Sequence, residues 1–370
     1  MNPLSKQLFV RQTTLTEIGE SGQQKLQQTS VLIVGCGGLG NSVATSLAGS
    51  GIGTIHLVDF DTVDITNLHR QLFFTTEDVD KPKVAILGSY LRKIAPFTEV
   101  FEHHLVINKK NVFELLATVD YVLDCTDSLP TKYLLNDVCV LKNKPFIYGS
   151  LYKFDGYVAN FNIPQKTGDF SANLRDAFPE ISKDAIPNCS EIGTLNTIVG
   201  IIGLLQANEV IKIVCGIGTP LIDELLIYNS MENSQYKMKL KRAFDKERIS
   251  KLFEQESYFD ANCETQDVSL LITSNELKQI LNSKIKNEVQ IISVIEDIST
   301  SLPFKVDAKI PLSAFDDIVS HVDQSLDLLD QPTFIFICQK GISSYTATQK
   351  IKEKYPNLKM LSLKGGISNY

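Results

Sequence analysis

Apolar runs alternate with amphipathic stretches over the first part of this 370-residue chain. The run 31–34 is apolar without interruption, as expected of a parallel strand that is buried on both faces. Further strands are predicted at 56–58, 99–104, 120–125 and 145–150, and helices at about 38–50, 81–94 and 131–141. This alternation predicts an α/β fold with a Rossmann-like, mostly parallel sheet.

The pattern changes after residue 150. Alternating polar and apolar residues at 156–163 predict an antiparallel strand, so the parallel sheet should carry an antiparallel extension. Strands near 224–229 and 236–240 close this first domain, and the charge-rich, weakly periodic stretch 241–266 predicts a linker. Strands and helices alternate again afterwards. We therefore expect domains at 1–240 and 267–370, the second a smaller α/β domain.

A glycine-rich turn follows the first strand. Gly35, Gly37 and Gly40 fit the pattern G-x-G-x-x-G, with Gly38 inside it, and a helix begins there. Glycines let backbone N–H groups approach a phosphate, and a helix N-terminus favours negative charge. Asp59 ends the next strand, where a carboxylate can accept ribose hydroxyls. By itself this pattern also suits an NAD-dependent oxidoreductase.

Charged and amide side chains after Asp59 narrow the interpretation. They follow the second strand, open the next helix or follow the fourth strand: Asp61, Asn67, Arg70, Gln71, Lys83, Asp127 and Ser128. Two cations and a second carboxylate exceed what a dinucleotide requires, but they suit a triphosphate with a metal ion. Asp127 is the better metal ligand, because Asp124 belongs to the strand itself.

At these residues the sequence resembles the ThiF/MoeB/HesA family, the bacterial relatives of the ubiquitin-activating enzymes, over roughly 8–240. The resemblance implies an adenylyltransferase, in which the C-terminal Gly-Gly carboxylate of a ubiquitin-like sulfur carrier attacks the α-phosphorus of ATP. It implies that Asp59 holds the ribose and that Asp127 binds Mg²⁺. It also implies that the phosphates are bound by Asn67, Arg70 and Lys83.

The same resemblance suggests roles for Arg11 and Cys189. Arg11, in FVRQ, resembles an arginine that reaches across a homodimer to the phosphates of the other subunit, although a solvated surface arginine explains it equally well. Cys189, in NCSEIG, lies where relatives carry a cysteine that links to the carrier, and a structural role is the alternative.

Family members commonly hold zinc with two C-x-x-C pairs. No cysteines here have that spacing, so we expect no zinc site.

A cysteine also ends a strand of the second domain. Cys338 opens CQKGISS, a tight loop whose amides can surround the sulfur before a helix begins. This loop and LKGGISNY at 363–370 resemble a rhodanese domain. The resemblance implies a persulfide on Cys338, supplied by a cysteine desulfurase-like donor, which attacks the adenylated carrier to give a thiocarboxylate. Two departures leave weak transfer or a docking role as alternatives: Ser343 replaces a common arginine, and ISVIE replaces LDVR before and at Glu296.

Composition restricts the class of protein. A net charge of −7 and a pI near 5.4 argue against a general nucleic-acid or membrane-surface binder. The seven scattered cysteines predict reduced thiols. We see no N-terminal signal peptide, and polar residues interrupt the most apolar helix, 195–214, so we expect a cytoplasmic protein without a membrane span.

Three functions follow, in order of support. The first is adenylation and thiolation of a sulfur carrier, as in molybdopterin, thiamine or related pathways. The second is adenylation of another carboxylate, such as a peptide or a modified tRNA base, with a degenerate rhodanese-like docking domain. An NAD-dependent oxidoreductase is a distant third.

Overall fold

The chain forms two compact units in a computed structural model, with the division between residues 259 and 260. The structure describes residues 3–179, 193–256, 258, 267–282, 289–295, 297–328, 332–339, 341–367 and 370. Of the residues singled out in the sequence, Cys189 and Glu296 lie outside these ranges.

The first unit is built on an eight-stranded sheet with the order β3-β2-β1-β4-β5-β6-β7-β8. The strands are β1 (Ser30–Val34), β2 (Thr54–Val58), β3 (Glu99–His103), β4 (Tyr121–Asp124), β5 (Phe146–Tyr152), β6 (Asp155–Phe161), β7 (Glu224–Asn229) and β8 (Ser234–Lys239). The first five in chain order pair in parallel, whereas β6, β7 and β8 pair antiparallel. The predicted fold class is therefore confirmed.

Helices cover both faces of this sheet, as a buried parallel sheet requires. They are α1 (Pro3–Leu8), α2 (Val10–Thr13), α3 (Gly19–Gln28), α4 (Gly38–Gly49), α5 (Lys83–Ile94), α6 (Val112–Ala117), α7 (Leu129–Lys142), α8 (Leu174–Ala177), α9 (Asn196–Cys215) and α10 (Lys246–Gln255). One core cluster joins the sheet to α4, α5 and α9, and another joins it to α6 and α7. Strand β1 lies between β2 and β4, so its apolar residues are buried on both faces.

Helix α9 is long and apolar enough to cross a membrane, by length and composition alone. Half of its most apolar window is buried in the protein, and it packs on α4, β5 and β6. This packing is that of a core helix, as the polar residues within it predicted.

The region predicted as a linker contains α10, which belongs to the first unit. The helix packs on α7 and buries Ile249. Just after it, the Glu256 carboxylate lies 2.8 Å from the guanidinium of Arg175, which is bidentate on the buried carboxylate of Asp137. The hydroxyl of Tyr258 donates a hydrogen bond to the same carboxylate. These contacts attach the end of the first unit to α7 and α8, so a free linker does not begin at 241.

The second unit has a five-stranded parallel sheet with the order β11-β10-β12-β13-β9. Its elements are β9 (Leu271–Ile272), α11 (Ser274–Asn282), β10 (Val289–Ser293), β11 (Ala308–Lys309), α12 (Phe315–Leu328), β12 (Thr333–Ile337), α13 (Ile342–Lys354) and β13 (Met360–Leu363). Two core clusters pack on the sheet, and Cys338 follows its central strand β12.

Candidate functional site

The glycine turn after β1 has no space for side chains. Gly35 has a φ of +94°, and a Cβ on it would lie 2.7 Å from the carbonyl oxygen of Cys125. A Cβ on Gly40 would lie only 1.9 Å from the carbonyl oxygen of Gly35. Helix α4 begins directly at Gly38, with Gly37 as its N-cap. The first N–H groups of a twelve-residue helix therefore face the carboxyl edge of the sheet, where they can bind an anion.

Asp59, at the carboxyl end of β2, is tied to this turn. Its carboxylate accepts hydrogen bonds from the backbone N–H of Cys36 at 2.6 Å and of Asp61 at 2.8 Å. Burial raises the pKa of Asp59, and the nearby Lys83 ammonium opposes this shift. The carboxylate thus lies at the predicted edge of the sheet and keeps acceptor capacity beyond its two backbone donors.

Lys83 and Asp61 form an ion pair in the predicted region. Lys83 opens α5, and its Nζ lies 2.7 Å from a carboxylate oxygen of Asp61. The lysine side chain is only 6% exposed, whereas the aspartate side chain is 46% exposed. Lys83 is therefore a buried cation and not a solvated surface lysine.

The segment TNLHRQ lies against the glycine turn. The side-chain oxygen of Asn67 accepts from the Arg70 guanidinium at 2.9 Å and from the Gln71 amide at 3.2 Å. A Cβ on Gly38 would lie 2.9 Å from the carbonyl oxygen of Arg70, and one on Gly37 would lie 3.4 Å from Nε2 of Gln71. The buried Oε1 of Gln71 has no hydrogen-bond partner among the described residues. A buried acceptor of this kind is suited to receive a donor from a bound molecule.

Asp127 and Ser128 follow β4. Asp127 is exposed, and the Ser128 hydroxyl caps α7 by accepting from the backbone N–H of Thr131 at 3.2 Å. Asp124 is fully buried and forms a 2.7 Å ion pair with Lys132. Of the two carboxylates, Asp127 is the exposed one, and its role as a metal ligand stays a prediction.

Lys132 itself was missed by the sequence analysis. It lies within the apolar helix α7 and is 4% exposed. A lysine among apolar neighbours, eight residues after a strand-end aspartate, was the available signal.

The predicted site residues follow three adjacent strands, β2, β1 and β4, at their carboxyl ends. In an open parallel sheet this edge forms the ligand crevice. The residues there fit a magnesium-bound triphosphate: free helix amides and two cations suit the phosphate oxygens, and the exposed Asp127 suits the ion. Their roles remain predictions.

Arg11 lies elsewhere in the same unit. It is exposed on α2, and the next residue, Gln12, donates to the carbonyl oxygen of Ser50 at 3.0 Å. Ser50 follows the last residue of α4, at the end opposite to the glycine turn. The structure therefore does not bring Arg11 to the glycine turn of its own chain.

Cys338, in the second unit, lies in a loop of hydrogen-bond donors. Its sulfur accepts from the backbone N–H groups of Gly341 at 3.1 Å and Ser344 at 3.3 Å, and the Ser344 hydroxyl lies 3.3 Å away. Gly341 has a φ of +83°, and a Cβ on Gly366 would lie 2.4 Å from the backbone nitrogen of Gly341. The final glycines thus pack directly on the cysteine loop, and the donors favour negative charge on the sulfur.

His56 and His103 form a contact that the sequence analysis did not recognise. The ring of His103, on β3, lies against that of His56 on the neighbouring strand β2, with ring nitrogens 3.1 Å apart.

The model of the ThiF family matches residues 9–249, which is more than half of the chain. The chain belongs to the ThiF family. The family predicted from the glycine turn and the residues after Asp59 is thereby confirmed.

Curated relatives are similar to this chain, and two of the three described next match nearly all of it. A sulfur carrier protein adenylyltransferase of Thermus thermophilus is 38% identical over 63% of this chain and 87% of its own length. The adenylyltransferase and sulfurtransferase MOCS3 of Aedes aegypti is 33% identical over 94% of this chain and 82% of its own. A probable adenylyltransferase/sulfurtransferase MoeZ of Mycobacterium tuberculosis is 30% identical over 97% and 91%. All three names include adenylyltransferase, and two also include sulfurtransferase, which agrees with the predicted enzyme class.

A solved structure supports the predicted α/β fold. Escherichia coli MccB with ATP is 27% identical, has a TM-score of 0.53, and matches 60% of this chain and 67% of its own.

Proposed function

We propose that this chain uses ATP and Mg²⁺ to adenylate the C-terminal Gly-Gly carboxylate of a ubiquitin-like sulfur carrier, and then delivers sulfur from Cys338 to form a thiocarboxylate. The observation that carries the proposal is the cluster at the carboxyl edge of β2, β1 and β4, together with full-length relatives named for both activities. The pathway would be molybdopterin or thiamine synthesis or a related thiolation, in the cytoplasm.

Adenylation requires positioning and charge stabilisation more than a covalent enzyme group. The carrier carboxylate would attack the α-phosphorus, and the bond to the β-phosphate would break to release pyrophosphate. Lys83, Arg70 and the amides that follow Gly37 would stabilise charge on the phosphate oxygens, while Asp59 would orient the ribose. Asp127 would hold Mg²⁺, which supplies further charge neutralisation when bound.

Lys83 also has to change partner in this reaction. In the free protein its ammonium is paired with Asp61 at 2.7 Å and is largely shielded from water. A phosphate group would compete for the same ammonium, and the half-exposed Asp61 would be released to solvent. The pair would thus keep the buried cation neutralised until nucleotide arrives.

The position of Arg11 supports a homodimer. Helix α4 has twelve residues and is therefore about 18 Å long, which separates the end near Ser50 from the glycine turn. Because Gln12 is anchored at Ser50, Arg11 is held far from its own nucleotide site. A phosphate contact by Arg11 would therefore come from a second copy of the chain, as the family resemblance implies.

Sulfur transfer would use Cys338. A persulfide on Cys338, loaded by a cysteine desulfurase-like donor, would attack the acyl-adenylate and displace AMP, which leaves an acyl disulfide. A second thiol would then attack the Cys338 sulfur, release the thiocarboxylate and form a protein disulfide that a cellular dithiol reduces. Cys189 remains our candidate for that thiol. Burial raises the pKa of Cys36, Cys125 and Cys139, so these thiols are poor nucleophiles.

The likeness to MccB favours a second candidate function. Solved MccB structures include complexes with MccA and with ATP, so this chain could instead adenylate another carboxylate, such as that of a peptide, with the second unit as a docking module. The match covers only 60% of this chain. Relatives that span nearly all of it carry sulfurtransferase in their names, which favours the sulfur carrier.

ATP–pyrophosphate exchange with candidate Gly-Gly carriers tests the proposal. The wild type should exchange only with a cognate carrier, and Asp127→Ala should lower the rate by about 10²-fold or more, as expected for the loss of a group that stabilises charge. Asp169→Ala, at an exposed aspartate in another loop, serves as the matched control. Exchange stimulated by peptides but by no carrier would establish the second candidate instead.

A further inference from the structure

Lys132 is a buried cation directly beneath the loop that carries Asp127. Its side chain is 5% exposed and that of Asp124 is 0% exposed. Nζ lies 2.7 Å from Oδ2 of Asp124, 2.8 Å from the carbonyl oxygen of Thr126 and 2.9 Å from the carbonyl oxygen of Gly149. The three N–H bonds of the ammonium are therefore matched by three acceptors.

These acceptors belong to two neighbouring strands and to the loop. Asp124 ends β4, Thr126 is in the loop that follows, and Gly149 is in β5, which pairs with β4. The ammonium thus connects the loop to both strands at the carboxyl edge of the sheet. The side chain of a shorter or uncharged residue could not make these three contacts.

Asp124 holds the loop from the other side. Its Oδ1 accepts from the backbone N–H of Thr126 at 3.0 Å and from the Thr126 hydroxyl at 2.8 Å. The N–H and the C=O of Thr126 are thus both held, one by Asp124 and one by Lys132. Ser128 begins α7 with its capping hydrogen bond, so Asp127 is the exposed residue between two fixed neighbours.

The charges of this pair depend on each other. Burial lowers the pKa of Lys132, but the Asp124 carboxylate, together with Tyr148 and Asp127, raises the pKa by more than burial lowers it. The ammonium is therefore charged at neutral pH and cannot be removed without leaving Asp124 buried and unpaired. The three N–H donors of Lys132 are already used by acceptors among the described residues, so the ammonium is not suited to bind a ligand directly.

We propose that Lys132 is a positioning residue for the metal-nucleotide site: it fixes the 124–128 loop so that the Asp127 carboxylate is presented to Mg²⁺. This inference rests on the proposed function and deepens it. Residues that orient a metal ligand through hydrogen bonds typically contribute about 10–100-fold to metal affinity. A lysine with a purely structural role would instead contribute to stability and leave the metal dependence of nucleotide binding unchanged.

Calorimetric titration with the non-cleavable analogue α,β-methylene-ATP separates these cases. The analogue should bind the wild type more tightly with Mg²⁺ than with EDTA. In Lys132→Met the gain in affinity that Mg²⁺ gives over EDTA should shrink by about 10–100-fold, while the affinity in EDTA stays the same. Lys144→Met is the matched control, because Lys144 donates to the carbonyl oxygen of Val119 at the opposite edge of the sheet, and it should bind as the wild type does.

Thr126→Val provides the test if Lys132→Met does not fold. This variant keeps the buried ion pair and removes one hydrogen bond that anchors the loop. The gain in affinity that Mg²⁺ gives should fall by about threefold. An unchanged Mg²⁺ dependence in a folded Lys132→Met protein, or in Thr126→Val where the former is unfolded, overturns the role of Lys132. A wild type that does not bind the analogue at all overturns the proposed function instead.

Discussion

Nδ1 of His56 lies 3.1 Å from Nε2 of His103, so two imidazoles on adjacent strands share one hydrogen bond. The rings are stacked with centroids 5.4 Å apart, and Phe101 stacks on His56 from the same strand as His103. Such a bond requires one nitrogen with a proton and one without. Two imidazolium rings would lose the bond and repel each other.

The pair predicts that stability falls in mild acid. Burial, together with His103, lowers the pKa of His56, and burial lowers the pKa of His103, both from an ordinary value of 6.5. Because the unfolded state binds protons near pH 6.5 while the folded state does not, this contribution is fully present above that pH. It is lost as the pH falls towards the folded-state values.

Urea unfolding between pH 5.5 and 8 measures this effect. We expect the free energy of unfolding to decrease towards low pH in the wild type, and to decrease less in His103→Gln, which removes one imidazole and the repulsion on His56. His69→Gln, at an exposed histidine, is the control. Equal slopes in all three proteins would show that the pair does not set the pH dependence.

Gly40 should tolerate no side chain. A Cβ there would lie 1.9 Å from the carbonyl oxygen of Gly35, so Gly40→Ala should destabilise the protein by about 1–3 kcal/mol or more and weaken nucleotide binding. Gly49→Ala is the matched variant in the same helix, because nothing lies within 4 Å of its Cβ position. It should be neutral or stabilise by up to about 1 kcal/mol. Similar losses of unfolding free energy in both variants would contradict this account.

The placement of the glycine turn, Asp59 and Lys83 could be predicted because it depends on local spacing around consecutive strands and helices. The partners of Arg175 could not, since Asp137 is 38 residues before it and Glu256 is 81 residues after it. Helix α10 was read as linker because charged and polar residues dominate its composition, although Ile249, Leu252 and Phe253 have the i, i+3, i+4 spacing of an amphipathic helix. The His56–His103 contact likewise depends on strand register, which no single strand encodes.

Arg175 should be among the most important polar residues for stability of the first unit. It is 1% exposed and bidentate on the fully buried Asp137, so Arg175→Met leaves that carboxylate without its cation. We expect a loss of about 3–5 kcal/mol in the free energy of unfolding. Lys251→Met, which breaks an exposed pair with Glu247, should cost no more than about 0.5 kcal/mol. Comparable losses would show that the buried pair contributes no more than a surface one.

The first unit should also be stable without zinc. Its segment at α8 is held to the chain near α10 by hydrogen bonds: Asp176 accepts from the backbone N–H groups of Ala243 at 2.6 Å and Phe244 at 2.9 Å. Dialysis against EDTA should leave the melting temperature unchanged, with no zinc detected by mass spectrometry beforehand. A fall in melting temperature that added zinc reverses would refute this prediction.

Ser344 should tune the reactivity of Cys338. Its hydroxyl lies 3.3 Å from the sulfur and 2.9 Å from the hydroxyl of Ser362, and both serines are fully buried. A chain of two hydroxyls can direct one donor at the sulfur, because Ser362 donates to Ser344 while Ser344 donates to Cys338. Its effect should be largest when the sulfur is negatively charged, either as thiolate or as persulfide.

Removal of that donor should slow the chemistry at Cys338 without unfolding the loop. The backbone donors from Gly341 and Ser344 remain in Ser344→Ala, so we expect about a tenfold slower loading of persulfide from thiosulfate, the equivalent of one hydrogen bond to a charged acceptor. Ser362→Ala should have a smaller effect in the same direction. Ser343→Ala is the adjacent control, and mass spectrometry of Cys338 over time measures all three. If Ser344→Ala and Ser343→Ala load at equal rates, the loop amides alone stabilise the sulfur and the hydroxyl pair serves only packing.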